Sequence, residues 1–103
     1  MKRRKHKLVV EYGLNGYVCS DYELEKDVKR WINSEDLSYI LVSNESIIQQ
    51  FRVEVAEGNI HHEDIGFQFD NELILIDENG HLDEWPKGFC DIYDKQLDIL
   101  LSI

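Results

Sequence analysis

Residues 52–89 read RVEVAEGNIHHEDIGFQFDNELILIDENGHLDEWPKGF, and they decide the fold. Ile65, Phe67 and Phe69 alternate with Gly66, Gln68 and Asp70, the period-two pattern of a strand with one buried face. Asp70-Asn71 has the chemistry of a tight turn, and the apolar run Leu73 to Ile76 supplies a returning strand. Asp77-Glu78-Asn79-Gly80 is a second turn. On the N-terminal side, Ile47, Ile48, Phe51 and Val55 form the inward stripe of a helix, and Gly58 suits the left-handed position just past its last turn. The stretch therefore predicts a helix feeding a hairpin.

Working outward, Leu8-Val9-Val10 reads as a buried strand followed by a loop punctuated by Gly13 and Gly16. Ser20-Asp21-Tyr22-Glu23 fits a capping box for a helix that carries Leu24, Val28, Trp31 and Ile32 inward and stops near Asn33-Ser34. Tyr39 to Val42 is a second strand, after which Ser43 or Asn44 can cap the next helix. A last helix from about Asp91 aligns Tyr93, Leu97, Leu100 and Leu101. The order is β-α-β-α-β-β-α. Helices between strands imply parallel pairing, so the class is α/β: a small three-layer-like domain with a mainly parallel sheet and an edge hairpin. The chain divides as one domain, 1–103. Within it lie a basic, flexible tip (1–7), a βαβα unit (8–60) and a closing part (61–103) with the hairpin, a Trp-Pro turn and the last helix.

Composition narrows the function classes. The chain has 103 residues, 43% of them hydrophobic, enough for one core, and its longest apolar run of four residues cannot span a bilayer. The basic start is not followed by an apolar run of signal length, and Cys19 and Cys90 sit in no paired motif, so reduced thiols in the cytoplasm are expected. Lys2 to Lys7, KRRKHK, holds five of the eleven Lys and Arg residues; the rest has six basic against twenty-one acidic residues, a body charge of 6 − 21 = −15. Such a body repels phosphate backbones, so a nucleic-acid partner is not expected. The tip reads as a solvated terminus.

Three segments resemble the C-terminal domain of unknown function of RecF/SMC-like ABC-type (AAA) ATPases. Arg52 to Ile60 is similar to that family's helix end R-x-x-[VI]-A-E-G-K/N-[LI]; Glu63-Asp64-Ile65 is similar to its acidic step into a strand. Asp77 to Phe89 is similar to its terminal D-E-x-G-x-[LF]-x-[ED]-W-P-x-G-F block. The resemblance implies a stand-alone truncated copy of that domain, acting in mobile-element or anti-phage defence settings. The departures matter as much. No G-x-x-x-x-G-K-[ST] can be written from the six glycines. The family's phosphate-sensing switch histidine aligns with Ser43, which offers no imidazolium. Leu8 to Leu14 resembles a worn Walker B in which Glu11 keeps the first acidic position and Leu14 stands at the water-activating one. Phosphoryl transfer needs positioned phosphates, magnesium and an oriented water, and this chain is expected to supply none alone.

His61-His62-Glu63-Asp64 offers metal-ligand types, but neighbours in sequence point apart, so a solvated turn is expected and no metal. Glu11, Asp21 and Glu23 could form an acidic cluster at a strand end. A Cys-His pair drawn from Cys19 or Cys90 with His81 has no activating group visible in the sequence. Trp85-Pro86-Lys87-Gly88-Phe89 reads as a turn clamping the sheet edge, or a protein contact where exposed. The expectation is a non-catalytic protein-interaction module without cofactor. Its candidate contacts are Trp31, Trp85, Phe89, Glu11, Asp21 and Glu23, and its partner is a full-length ATPase, a nuclease or a toxin. The alternative is an acidic immunity protein or antitoxin covering a basic nuclease or toxin. Homodimerisation through the sheet edge or the Trp31 helix is also expected.

Overall fold

The computed structural model describes residues 6–83. The elements run β1 (Leu8–Tyr17), α1 (Leu24–Ile32), β2 (Tyr39–Val42), α2 (Glu45–Ala56), a 3-10 turn (His62–Asp64), β3 (Ile65–Phe69) and β4 (Glu72–Ile74). One four-stranded sheet has the order β2-β1-β3-β4. In it β1 is parallel to both neighbours, and β3 and β4 form the antiparallel edge hairpin. The α/β class, the mainly parallel sheet and the edge hairpin are thus as expected. The helix expected from Asp91, the Trp85–Phe89 turn and residues 1–5 of the basic tip lie outside the described residues.

Register explains the core. Leu8 stands opposite Ile65 and Val10 opposite Phe67, while Phe67 faces Ile74 across the hairpin, so one face gathers five buried apolar side chains. The helix α2 covers this face: Phe51 meets Phe67 edge-on, with ring centroids 6.4 Å apart. The helix α1 packs on α2, where Trp31 stacks on Phe51 at 6.1 Å. The expected stripes hold, since Val28, Trp31, Ile32, Ile47, Ile48, Phe51 and Val55 are all buried. Each such side chain contributes roughly 1.5–3 kcal/mol of burial. Phe51 is fully buried where sheet and helices meet. Truncation to alanine there is expected to cost roughly 3–5 kcal/mol.

The turns follow their residues. The helix α2 ends in a Schellman motif: Asn59 N–H donates to Glu54 O at 2.9 Å and Gly58 N–H to Val55 O at 3.0 Å, with Gly58 at φ 81°. Asp70 and Asn71, at φ 49° and 69°, give the two-residue mirror-image turn that matches strand twist. Beyond β4, Ile76 bridges Leu82, and Asp77 Oδ1 accepts the N–H groups of Asn79 at 2.9 Å and His81 at 3.0 Å. Gly80, at φ 81°, lies so close to α2 that a Cβ would stand 2.5 Å from Arg52 O, and Arg52 Nε donates to Gly80 O at 2.7 Å.

Three local expectations are corrected. No capping box forms at Ser20–Glu23. Instead Glu23 N–H donates to Ser20 O at 3.0 Å, and α1 starts from Glu23 without a side-chain cap. A backbone turn has taken the place of the side-chain bond. At α2, Asn44 holds the N-cap position in extended backbone, but its amide reaches instead to Cys19 O at 3.4 Å. The strand β1 also runs past Val10 to Tyr17, through the stretch read as a loop.

Candidate functional site

In open parallel sheets, binding sites gather outside the carboxyl ends of the strands. Here that end is built around an interruption in β1. Pairing with β2 is regular from Val9 to Tyr12 and then jumps, so that both Tyr12 and Tyr17 register against Val42. Asn15 turns the chain at φ 62°. Ser43 closes the excursion from the next strand: its Oγ accepts Gly16 N–H at 2.6 Å and donates to Gly13 O at 2.6 Å, while Ser43 N–H donates to Tyr17 O at 3.0 Å. Gly16 sits so near β2 that a Cβ would fall 2.7 Å from Leu41 C and 2.8 Å from Val42 C. Only glycine fits there without moving backbone. Ser43 is thus a structural clasp, both of whose hydroxyl roles are taken by the chain itself.

What this clasp presents to solvent is apolar with an acidic margin. Leu14, in the last part of β1, is 88% exposed; Val18 (64%) and Tyr22 (99%) follow in the segment that links β1 to α1. Asp21 and Glu23 are exposed on the same segment. Beneath them Asp27 is buried, accepting from Tyr17 Oη at 3.4 Å and pairing with Arg30 at 3.3 Å. Burial raises the Cys19 thiol above its ordinary value, and the carboxylates of Asp27, Glu23 and Asp21 push it the same way. A buried thiol among carboxylates is a poor nucleophile.

The candidate contact residues are placed unequally. Asp21 and Glu23 come together beside Cys19. Glu11 lies earlier along β1, where Tyr39 Oη donates to its carboxylate; that bond, then burial, raises the Tyr39 phenol. Trp31 is 8% exposed, with Tyr17 edge-on at 4.8 Å and Phe51 stacked, which places it in the core with little surface for a partner. Trp85, Phe89 and Cys90 lie outside the described residues. His81 belongs to the Asp77 turn, its Nδ1 3.8 Å from Asp77 Oδ2. His61 to Asp64 precedes β3 and therefore lies at the opposite, amino end of the parallel strands.

Sequence reasoning passed over Ser43 as a clasp and over Leu14, Val18 and Tyr22 as exposed apolar groups. The available signal was the Gly13-Leu14-Asn15-Gly16 spacing, which marks a turn but not which side chains it turns outward.

Residues 59–100, less than half of the chain, match the family described as Protein of unknown function (DUF3696). No curated protein and no solved structure matches the chain. Among the described residues no helix is long and apolar enough to cross a membrane.

Proposed function

We propose that the chain is a non-catalytic protein-interaction module that docks another protein through the end of β1 and the segment linking it to α1. The observation that carries this is the exposure of Leu14, Val18 and Tyr22, on a stretch whose start, Gly13 to Tyr17, is pinned by the Ser43 clasp. Large side chains held outward on a fixed backbone lose little entropy on binding and make good anchors. Asp21 and Glu23 form a polar, acidic margin suited to a partner with basic residues around an apolar centre.

The resemblance to the C-terminal domain of RecF/SMC-like ATPases supports a partner of that class, with the chain acting as a subunit or regulator in a defence or mobile-element system. Ser43 stands where that family's switch histidine would be, and its hydroxyl is used on Gly13 and Gly16. A phosphate would find no donor in it. The acidic-inhibitor alternative draws on the same margin together with the body charge of 6 − 21 = −15.

Affinity capture from native cells with wild-type bait and with a Leu14→Asp/Tyr22→Ala bait tests the reading. A partner retained by wild type and lost by the double variant supports it. Equal recovery by both baits, or tight ATP binding by the isolated chain, overturns it. An ABC-type ATPase among the specific partners favours the module, and a basic nuclease or toxin favours the inhibitor.

A further inference from the structure

At the amino end of the parallel strands the fold collects all four histidines of the chain. His6 enters β1 and His61 and His62 enter β3, two strands that run side by side from Leu8 and Ile65. His81 comes back on the Asp77 turn. A cleft of about 400 Å³ opens here, lined by His6, His62, Glu63, Ile76, Asp77 and Asp83 among others. Sequence spacing alone put only His61 to Asp64 together, which is why a solvated turn was the expectation.

We propose that His61, His62 and Glu63 bind one divalent transition-metal ion of the zinc class, with the remaining coordination position open to the cleft. One donor atom from each of the three lies within 4.8 Å of the others. Donors around a tetrahedral zinc stand about 3.4 Å apart, given bonds near 2.1 Å, so the side chains close by at most about 1.4 Å. His61 and Glu63 are exposed and His62 half-buried, so this needs rotation of surface side chains and no repacking of the core.

The hydrogen bonds around the site favour metal over a bare turn. His62 Nδ1 lies 3.3 Å from Ile76 O. A carbonyl only accepts, so in the neutral ring Nδ1 carries the proton and Nε2 is left with its lone pair available to a metal. This is the outer-sphere arrangement that orients histidine ligands in metal sites. His6 makes the same kind of bond, its Nδ1 3.1 Å from Glu63 O, and so braces the turn that carries the ligands. His61 differs. Its Nδ1 accepts Glu63 N–H at 3.1 Å, so metal binding exchanges that cap bond for a metal bond. The two rings stack at 4.7 Å, and their separation onto one ion is the main rearrangement. Asp77 and Asp83 on the cleft wall add negative potential for a cation. Backbone donors from His81 and Asn79 keep Asp77 ionised to lower pH than an ordinary carboxylate. Two imidazoles with one carboxylate select zinc, nickel or copper over magnesium and calcium, which take oxygen ligands.

The test titrates the full chain with zinc chloride against a competing chelator near neutral pH, and follows the histidine imidazole resonances by NMR. One ion per chain is expected, with the His61 and His62 resonances moving most. His62→Ala and His61→Ala are expected to weaken binding tenfold or more, and Glu63→Gln about tenfold. His81→Gln is expected to stay within about twofold. Affinity falls as pH drops, because the ligands must lose protons. His62→Ala also removes the Ile76 contact, so thermal unfolding of each variant is measured beside the titration; Glu63→Gln, at an exposed position, keeps the test decisive if His62→Ala unfolds. Absence of one-to-one binding, binding unchanged by both Glu63→Gln and His61→Ala, or displacement of zinc by equimolar magnesium each overturns the proposal.

Discussion

Replacement of Ser43 by alanine tests the reading of the strand end as a clasp. The hydroxyl makes two hydrogen bonds: it accepts Gly16 N–H and donates to Gly13 O, each at 2.6 Å. Alanine leaves one backbone donor and one backbone acceptor without that partner, in a part-buried place. A buried group left unsatisfied costs about 1–3 kcal/mol, and partial access of water argues for the lower end. The sum is about 2 kcal/mol, which in a domain of this size lowers Tm by about 10 °C. Urea unfolding followed by far-UV circular dichroism measures it directly, with an unchanged slope showing that only stability moved. Gly16 N–H should also lose its protection from hydrogen exchange. A Ser43→Ala protein within about 0.5 kcal/mol of wild type would refute the clasp. Ser43→His separates structure from chemistry: the clasp requires it to be destabilised as well, and a stable Ser43→His protein that bound ATP would restore the phosphate-sensing role.

Three further outcomes are expected. Gly16→Ala forces a Cβ to within 2.7 Å of Leu41 backbone, so β1 and β2 must part and a loss of more than about 2 kcal/mol is expected in the same urea assay. Glu54, 1% exposed, accepts from Gln50 Nε2 at 2.9 Å and Asn59 Nδ2 at 2.8 Å; Glu54→Leu leaves both amides unmatched beside the α2 end, and a Tm lower by about 5 °C or more is expected. Asp77 has its folded pKa lowered, so its contribution is present above the ordinary carboxylate pKa and is lost as pH falls through the lowered value. Acid should therefore loosen the 77–83 turn, seen as faster exchange at Asn79 and His81 N–H, and Asp77→Asn should remove that pH dependence.

Much of the fold was legible because it follows from short-range pattern. Ile65, Phe67 and Phe69 announced a one-sided strand, Asp70-Asn71 its turn, and Gly58 the end of α2, and each rests on neighbours in sequence. The misreadings arose where a competing partner, local or tertiary, took a group that the sequence pattern assigned elsewhere. Ser20 carried the right side chain for a cap, yet the backbone turn from Ser20 to Glu23 satisfied the same donor. The strand β1 read as ending at Val10 because Gly13 and Gly16 break local propensity; what carries it on to Tyr17 is a hydroxyl from Ser43, 27 positions beyond Gly16. The histidine cleft was illegible for the same reason. His62 and Ile76 are 14 positions apart and His6 and Glu63 are 57 apart; the first distance is closed by the β3–β4 hairpin and the second by the parallel pairing of β1 with β3.

That pairing also sets how the two proposed sites relate. The docking surface begins in the last part of β1 and the metal turn lies at the strand's amino end, with the regular stretch Leu8 to Tyr12 between them. Four strand steps span about 13 Å, beyond the roughly 7–10 Å over which substitutions usually interact. Both ends nevertheless share one element, since Val10, at the middle of that regular stretch, is fully buried between the register partners Ile40 and Phe67. Independence is therefore the expectation: zinc should leave partner affinity unchanged, and the effects of Leu14→Asp and Glu63→Gln should add to within about 0.5 kcal/mol. A larger coupling would mean that β1 transmits metal occupancy to the docking segment. By reciprocity, partner binding would then shift zinc affinity by the same factor, so either titration repeated in the presence of the other ligand decides the matter.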